Sequence, residues 1–368
     1  MRHGSRRQAG TRRSPLWQAL GILSELLFTL AAICALYIVW QMWWTGVQAE
    51  RTQAQTSEQV SWSDPASSSE VKIAQAQEGD APVQPTSASY GDLIAQIYIP
   101  RFGQSWERNV VEGTDAAQLA RHGLGHYTNT QMPGQLGNFA VAGHRNGYGQ
   151  PLGDVDKLQE GDPIVVRTQD YWYVYTYTSY KIVEPTNAEV IDPVPEQPGA
   201  AADKRRITLT TCEPKYTTPT HRWVVWGELK YWAKVSDGVP QELAVIDSNN
   251  KVKFAAKSTS YMSLPARISS LKPYVLGALL AWLVLFAAAA VAWRWPLLAE
   301  IRSGDKPRPD ASIYGWLLRL QPGVLPVRIV LFALLLFAAA AALFEWVFPW
   351  GASNIPILQQ MSNYAAFD

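Results

Sequence analysis

Three stretches of this chain are apolar over about the 20 residues that a helix needs to cross the hydrocarbon core of a bilayer. The bilayer offers no partner for unpaired backbone groups, so each stretch must form a helix if it spans. The sequence therefore predicts an integral membrane protein with transmembrane helices at residues 20–44, 273–294 and 328–349.

Basic residues flank these stretches asymmetrically. They are Arg2, Arg6, Arg7, Arg12 and Arg13 before the first stretch, and Arg294, Arg302, Lys306, Arg308 and Arg319 between the second and third. The positive-inside rule places both segments in the cytoplasm. We therefore predict a multi-pass cell-membrane protein with a cytoplasmic N-terminus (1–19), a cytoplasmic loop (295–327), an extracellular region (45–272) and an extracellular tail (350–368) that has no lysine or arginine.

A cleaved signal peptide is the alternative interpretation of the first stretch, because Val47-Gln48-Ala49 resembles a cleavage site. The apolar stretch is longer than the ~7–15 residues of a signal-peptide core, which favours an uncleaved anchor.

The extracellular region changes composition along its length. Residues 45–90 are rich in Gln, Ser, Ala, Glu and Pro with few large apolar side chains, which predicts a flexible stalk. Residues 91–232 contain many short runs of strand-forming residues, such as YWYVYTYTSYKIV, separated by Gly, Pro and Asn. The fold class is therefore predicted to be mainly β, a closed or nearly closed barrel with the three membrane helices outside it. Residues 233–272 form either a hairpin around Ser248 or a plain linker.

Charge and composition exclude some functions. The net charge of +1 gives no support for nucleic-acid binding. Neither a cofactor nor a metal site is predicted, since the acidic residues Asp154, Asp156, Glu160 and Asp162 are scattered in the manner of a solvated loop.

The chain has two cysteines, and they differ in their surroundings. Cys34 lies in the first apolar stretch, whereas Cys212 ends the polar run ITLTTC, so a disulfide between them is not expected. In a strand, the period of two places Cys212 on the face of Thr208 and Thr210. Buried structural cysteines usually have apolar neighbours, so Cys212 is a candidate nucleophile.

Two further residues would complete a catalytic group around Cys212. The next strand begins near Arg222, whose charge favours a thiolate and stabilises an oxyanion. Protonation of a leaving amine requires an acid, for which histidine is the best suited. The extracellular candidates are His122, His126, His144 and His221. His144 is preferred because it leaves a short apolar strand and enters a glycine-rich loop.

These residues resemble those of a known family. TLTTC, residues 208–212, matches the TLxTC motif of sortases, the cysteine transpeptidases that attach proteins to Gram-positive cell walls. Arg222 stands where the family's arginine follows, and GNFAVAGHR resembles the segment that carries its histidine. The resemblance runs from about residue 91 to residue 229 and implies an eight-stranded sortase barrel, with Cys212 as nucleophile, His144 as general acid and base, and Arg222 as stabiliser.

The segment GHYTNTQMPGQLGNFAVAGHR is similar to that of class E sortases of actinobacteria. This similarity implies a sorting signal of LPxTG type, typically LAxTG, and Tyr127 matches a tyrosine associated with that preference. Thr211 and the backbone of Glu213 are expected as further stabilisers. The implied partners are surface proteins or pilins that bear the signal, a peptidoglycan-precursor amine, and membrane lipid.

Some features depart from class E. A typical member has one N-terminal anchor, whereas this chain has two additional C-terminal stretches. Pilin-polymerising class C enzymes carry a C-terminal membrane helix and a lid with an Asp-Pro-aromatic element, and Asp64-Pro65-Ala66 lacks the aromatic residue.

Two other functions fit the motifs less well. An L,D-transpeptidase would need Ser-x-Gly-Cys around its cysteine, and a catalytically silent β-domain that binds wall or partner proteins would not need the Cys, His and Arg set. Arg328 and Glu345, near the ends of the third stretch, are expected to extend to the membrane interface.

Overall fold

The computed structural model of the protein describes residues 14–60, 62–63, 71–246, 248, 251–255 and 263–362. The chain divides into two compact units. The helical unit comprises residues 1–40 and 269–350, and the barrel unit comprises residues 41–268 and 351–368.

Eight strands of the barrel unit form a closed barrel. They are β1 (Leu93–Tyr98), β2 (Glu107–Glu112), β3 (Leu124–His126), β4 (Gly137–Gly143), β5 (Pro163–Arg167), β6 (Tyr171–Val183), β7 (Arg205–Glu213) and β8 (His221–Lys234). Their order around the barrel is β1-β2-β3-β4-β7-β8-β6-β5, and β5 pairs with β1 to close it. The pairs β2–β3 and β4–β7 are parallel, and the other pairs are antiparallel. The predicted mainly β, eight-stranded barrel is confirmed.

The barrel interior is filled by one face of each long strand. Alternation along β7 sends Ile207 and Leu209 into the core, where they pack with Phe139 of β4 and Val225 of β8. Tyr173, Tyr175 and Tyr177 of β6 join the same core, which explains the aromatic period of two in that strand. The opposite faces of β7 and β8 therefore lie on the outside of the barrel.

The segment after β8 packs against the outside of the barrel. Val239 and Leu243 are buried with Trp172 in a second apolar cluster. Strands β9 (Ala244–Ile246) and β10 (Val252–Phe254) pair in antiparallel fashion, as the hairpin interpretation of this segment required. The segment is therefore part of the barrel unit rather than a plain linker.

The structure differs from the flexible stalk expected at residues 45–90. Residues Thr45–Gln59 form helix α2, and its Gln53 carbonyl accepts a hydrogen bond of 2.8 Å from Asn109 Nδ2 on β2. Further along, Gln77 exchanges backbone hydrogen bonds of 2.7 and 3.0 Å with Trp232. The prediction of a flexible stalk was wrong because this segment packs on the barrel through backbone groups and small or polar side chains. Such residues produce no hydrophobic pattern in the sequence. Asp64-Pro65-Ala66 lies outside the described residues.

The remaining helices have the following bounds. They are α1 (Pro15–Val39), α3 (Ala116–His122), α4 (Lys272–Ala292), α5 (Pro296–Ser303), α6 (Ile313–Leu320), α7 (Leu325–Ala342), α8 (Phe348–Asn354) and α9 (Pro356–Ser362), with π-helical turns at Trp40–Trp44 and Leu343–Val347. Among the described residues, three helical stretches are long and apolar enough to cross a membrane: Pro15–Gln59, Lys272–Ala292 and Leu325–Asn354.

The helical unit is held together by small residues and a few polar bonds. Ala278 of α4 packs against Ala338 and Ala341 of α7, a close approach that small side chains permit between membrane helices. Glu25 of α1 accepts a 2.6 Å hydrogen bond from the Ile313 backbone N–H and so caps α6.

The two ionisable residues of the third stretch are not extended as expected. Arg328 is buried, and its Nε donates a 2.9 Å hydrogen bond to the Leu318 carbonyl. Glu345 accepts 2.8 Å bonds from Ser270 Oγ and the Leu271 backbone N–H at the start of α4. Extension to the interface is therefore wrong for Arg328, because the Leu318 carbonyl accepts a hydrogen bond from its guanidinium within the unit.

Candidate active site

The cysteine and the arginine predicted to act together lie opposite each other on neighbouring strands. The antiparallel register of β7 and β8 pairs Cys212 directly with Arg222. Directly opposed residues in a sheet have their Cβ atoms about 5 Å apart on the same face. The thiol and the guanidinium therefore share the outer face of the barrel, together with Thr210, while Thr211 points to the inner face.

The predicted histidine reaches the same end of the barrel. β4 and β7 run parallel, with Ala142 paired to Thr210. His144 and Cys212 each follow two residues later, so the register brings them to the same edge. The Thr211 hydroxyl donates a 2.7 Å hydrogen bond to the Gly143 carbonyl and fixes this alignment. The structure thus brings Cys212, Arg222 and His144 together.

His144 is buried, being 4% exposed. Burial disfavours the charged imidazolium and lowers the pKa of His144 to about 4. Its ring packs at 4.6 Å, centroid to centroid, against the ring of Tyr148. Nε2 is buried and makes no hydrogen bond to any residue that the structure describes. At neutral pH the ring is therefore a neutral base with one nitrogen not engaged by the protein.

The other extracellular histidines lie elsewhere. His126 is fully buried, and its Nδ1 lies 2.8 Å from Glu112 Oε2. His122 lies at the C-terminal end of α3 and contacts Thr56 Oγ1 of α2 at 3.3 Å. His221 pairs across the sheet with Glu213 rather than Cys212, which puts it on the opposite face from Arg222. These three histidines therefore contact neighbouring side chains, whereas His144 lies at the edge of the barrel that carries Cys212.

Of the three residues expected to bind the substrate, Tyr127 shares a face with Cys212, whereas the side chains of Thr211 and Glu213 bind other residues. The Tyr127 hydroxyl lies 2.9 Å from Thr210 Oγ1, on the same outer face as Cys212. The single hydroxyl proton of Thr211 is already donated to Gly143, so this side chain has none to give to an oxyanion. The Glu213 carboxylate forms an ion pair with Arg145.

Arg145 is a residue of the site that the sequence analysis missed. It is 6% exposed, directly follows His144, and donates a 3.4 Å hydrogen bond to the Cys212 carbonyl. Its guanidinium also pairs with Glu213 and, at 3.5 Å, with Asp156, and it lies 4.8 Å from the centroid of the Trp223 ring. Arg145 therefore joins the end of β4 to the end of β7. A charged residue next to the candidate histidine was the available signal.

A buried apolar cluster lies beside Cys212, between the outer face of the barrel and the loop that joins β6 to β7. Val224, which neighbours Arg222 on β8, packs with Val183 of β6 and with Val190 from a short turn in the loop between β6 and β7. The Trp226 indole N–H donates a 3.0 Å hydrogen bond to the Val190 carbonyl. The loop is thereby held against the outer face of the barrel.

A buried asparagine holds the same loop from the other side. Asn138 of β4 is fully buried, and its Nδ2 donates a 3.0 Å hydrogen bond to the Asp192 carbonyl. Its Oδ1 accepts a 2.8 Å bond from the Thr208 hydroxyl on β7. One side chain thus joins two strands and the loop, a role that the sequence analysis did not identify.

Three of the acidic residues considered for a metal site, Asp154, Asp156 and Asp162, make ion pairs with basic side chains. Asp154 lies 3.0 Å from Lys157, and Asp162 lies 2.7 Å from Arg101. In the part of the chain that the structure describes, no group of three or more His, Cys, Asp or Glu side chains is arranged to hold a metal ion.

A thiol, an imidazole and a guanidinium at one strand edge are the groups that acyl transfer through a thioester requires.

Among solved structures, the chain is similar to sortase E from Streptomyces avermitilis, with 46% sequence identity, a TM-score of 0.38, and coverage of 42% of this chain and 99% of that one.

Sequence comparison identifies the family. The family model described as "Sortase domain" matches residues 97–230. Sortase SrtE1 from Streptomyces coelicolor is 34% identical over 249 residues, and the match spans 65% of this chain and 65% of that relative. Sortase SrtE2 from the same organism is 36% identical over 254 residues, and the match spans 64% of this chain and 95% of the relative. The chain belongs to the sortase family and is similar to sortases of class E.

Proposed function

We propose that this protein is a membrane-anchored sortase that cleaves a sorting signal of LPxTG type, with LAxTG preferred, between threonine and glycine. It transfers the carried protein to an amine of a cell-wall precursor. The observation that carries this proposal is the direct cross-strand pairing of Cys212 with Arg222, with His144 at the same edge.

The first half of the proposed reaction forms a thioester. The neutral His144 ring accepts the thiol proton of Cys212, and the sulfur attacks the carbonyl carbon of the signal's threonine. The negative charge that develops on the carbonyl oxygen is stabilised by Arg222. The imidazolium then donates its proton to the departing glycine amine, so His144 returns to its neutral form.

The second half transfers the acyl group. An amine of the wall precursor attacks the thioester while His144 accepts its proton, the Cys212 sulfur leaves as thiolate, and His144 then returns the proton to Cys212. The new amide bond joins the carried protein to the precursor. Water in place of the amine would give hydrolysis.

The outer face next to Cys212 supports a peptide-binding role. The Tyr127 and Thr210 hydroxyls lie on this face, and the buried cluster of Val183, Val190 and Val224 holds the loop between β6 and β7 beside them. A sorting signal has polar backbone and threonine groups that a hydroxyl can bind. We propose that the signal lies along this face, with Tyr127 contacting it.

The basic segments support the membrane orientation. We propose that residues 1–19 and 295–327 are cytoplasmic and that the barrel unit and the tail after residue 350 are extracellular. The substrates would then be exported proteins or pilins, which meet the enzyme on the outer side of the membrane.

The test uses the full-length protein purified in detergent. It is incubated with LAxTG and LPxTG peptides, with and without triglycine as the amine, and the acyl-enzyme is followed by intact-protein mass. We expect cleavage of LAxTG, a thioester adduct in the wild type, and complete loss of the adduct in Cys212→Ala.

Each other outcome points to a different function. Faster cleavage of LPxTG would contradict the class E preference and keep the transpeptidase. Joining of two signal-bearing pilin peptides in preference to triglycine would favour the pilin-polymerising role. No adduct with either peptide would overturn the proposal and favour a catalytically silent domain that binds wall or partner proteins.

A further inference from the structure

The loop that follows His144 is held by a helix that the sequence analysis assigned to a flexible stalk. Thr45, in the first turn of α2, is 2% exposed. Its hydroxyl oxygen accepts a 2.9 Å hydrogen bond from the Tyr148 backbone N–H and donates a 2.7 Å bond to the Gln41 carbonyl. The hydroxyl is therefore both a donor and an acceptor, and the bond that it accepts comes from the loop.

The helix and the loop approach each other closely at glycine residues. A Cβ atom at Gly46 would lie 3.2 Å from the Gly149 backbone nitrogen. Gly147 has φ +65, and a Cβ atom there would lie 2.8 Å from Gln41 Nε2. Gly149 of the loop thus faces Gly46 of α2, and Gly147 faces Gln41 in the π-helical turn before α2.

Tyr148 is held in an unfavourable backbone conformation. Its φ is 50, in the left-handed region that bulky residues rarely adopt. Such a conformation costs on the order of 1–3 kcal/mol and persists only where surrounding contacts impose it. The bond from its N–H to Thr45 is a contact of this kind.

The strained residue in turn contacts the candidate acid and base. The Tyr148 ring lies 4.6 Å from the His144 ring at an interplanar angle of 33°, and both side chains are buried, at 4% exposure each. The contacts therefore run from Thr45 through the backbone of Tyr148 to the imidazole of His144.

We propose that Thr45 is a positioning residue for the acid and base step, because it holds Tyr148 in the conformation that orients the His144 ring. This inference rests on the proposed transpeptidase function. The contact between the first turn of α2 and the loop then sets the rate of acyl transfer.

The test is Thr45→Val in the full-length protein, which keeps the shape of the side chain and removes both hydrogen bonds. A misplacement of about 1 Å in a catalytic group costs about 100-fold in rate. We expect the rate constant for acyl-enzyme formation at saturating LAxTG peptide to fall between about 10-fold and 100-fold. The peptide concentration that gives half this rate should not change, because Thr45 contacts none of the proposed peptide-binding residues.

Two variants of the same helix serve as controls. Thr45→Ser keeps the hydroxyl and should restore the wild-type rate. Thr52→Val makes the same chemical change further along α2. There the hydroxyl donates a 3.2 Å hydrogen bond to the Gln48 carbonyl at an exposed site. It should leave the rate unchanged.

A double-mutant comparison separates positioning from loss of stability. Tyr148→Gly removes the ring and suits a positive φ, so it should slow acylation without unfolding the loop. Adding Thr45→Val to Tyr148→Gly should then cause little further loss, because the two changes act on one contact.

The outcomes are distinct. Equal rates for Thr45→Val and Thr52→Val, or full additivity with Tyr148→Gly, would overturn the positioning role while the wild type remained active. Absence of acyl-enzyme in the wild type would instead overturn the proposed function and, with it, this inference.

Discussion

At the residue scale, the burial of His144 determines its protonation state. The imidazolium is disfavoured in the buried position, so the pKa of His144 falls to about 4 from its ordinary value near 6.5. The folded protein therefore binds this proton only at a lower pH than the unfolded chain does. As the pH falls below 6.5, the unfolded chain takes up the proton first, and the folded state loses stability until the pH reaches about 4.

This linkage predicts a pH-dependent loss of stability that depends on one residue. Between pH 7 and pH 5, His144 should reduce the free energy of unfolding by roughly 2 kcal/mol. The measurement is urea unfolding of the full-length protein in detergent at both pH values, followed by tryptophan fluorescence. His144→Gln should lose this part of the pH dependence, and an unchanged difference between the two pH values in that variant would contradict the low pKa.

A residue of the site could be predicted where its place follows from the strand pattern, and could not where it depends on contacts that form only in the fold. Cys212 and Arg222 were predictable because strand period and sequence order place them on one face of neighbouring strands. Arg145 was not, because its contacts with the Cys212 carbonyl, Glu213 and Trp223 exist only once β4 and β7 lie side by side. Thr211 shows the same limit, since only the fold reveals that its hydroxyl bonds Gly143.

At the element scale, Asn138 links β4, β7 and the loop between β6 and β7. Removing it leaves the Asp192 carbonyl and the Thr208 hydroxyl without this partner. The loss of two buried hydrogen bonds costs on the order of 1–3 kcal/mol. We predict that Asn138→Ala lowers stability by this amount and loosens the loop, so that backbone amides of residues 184–204 exchange hydrogen faster.

The matched control is Thr208→Val, which breaks only the bond between the strands. It should lower stability while leaving hydrogen exchange in residues 184–204 at the wild-type rate. Equal exchange in the loop of both variants would show that Asn138 does not hold it. Binding of the sorting-signal peptide should likewise weaken more in Asn138→Ala than in Thr208→Val.

The elements themselves were predictable to different degrees. The strands of the barrel were evident because alternation of apolar residues reports burial of one face directly. Helix α2 was missed because the residues it buries are small or polar, among them Thr45, Ala49 and Gln53. Thr45 and Gln53 are held by hydrogen bonds to the loop after His144 and to β2, and a composition argument does not include these.

At the scale of the whole molecule, membrane helices are the simplest feature to predict and the hardest to interpret. Length and apolarity alone are sufficient to locate all three stretches. The fold adds that α4 and α7 pack through alanines and that Glu25 of α1 caps α6. Helices α1, α4, α6 and α7 therefore belong to one folded helical unit.

The proposed orientation predicts which sides of the membrane two serines face. In a background of Cys34→Ser and Cys212→Ala, single cysteines are introduced by Ser236→Cys in the barrel unit and by Ser303→Cys at the end of α5, within the loop of residues 295–327. Both positions are exposed, so both thiols can react. A membrane-impermeant maleimide should label Ser236→Cys in intact cells and label Ser303→Cys only after permeabilisation, because the arginines around residue 303 hold that loop in the cytoplasm. Labelling of Ser303→Cys in intact cells would reverse the proposed orientation of the loop. Protection of Ser236→Cys would place the barrel unit in the cytoplasm, where it would not meet exported proteins, and would overturn the proposed function along with the topology.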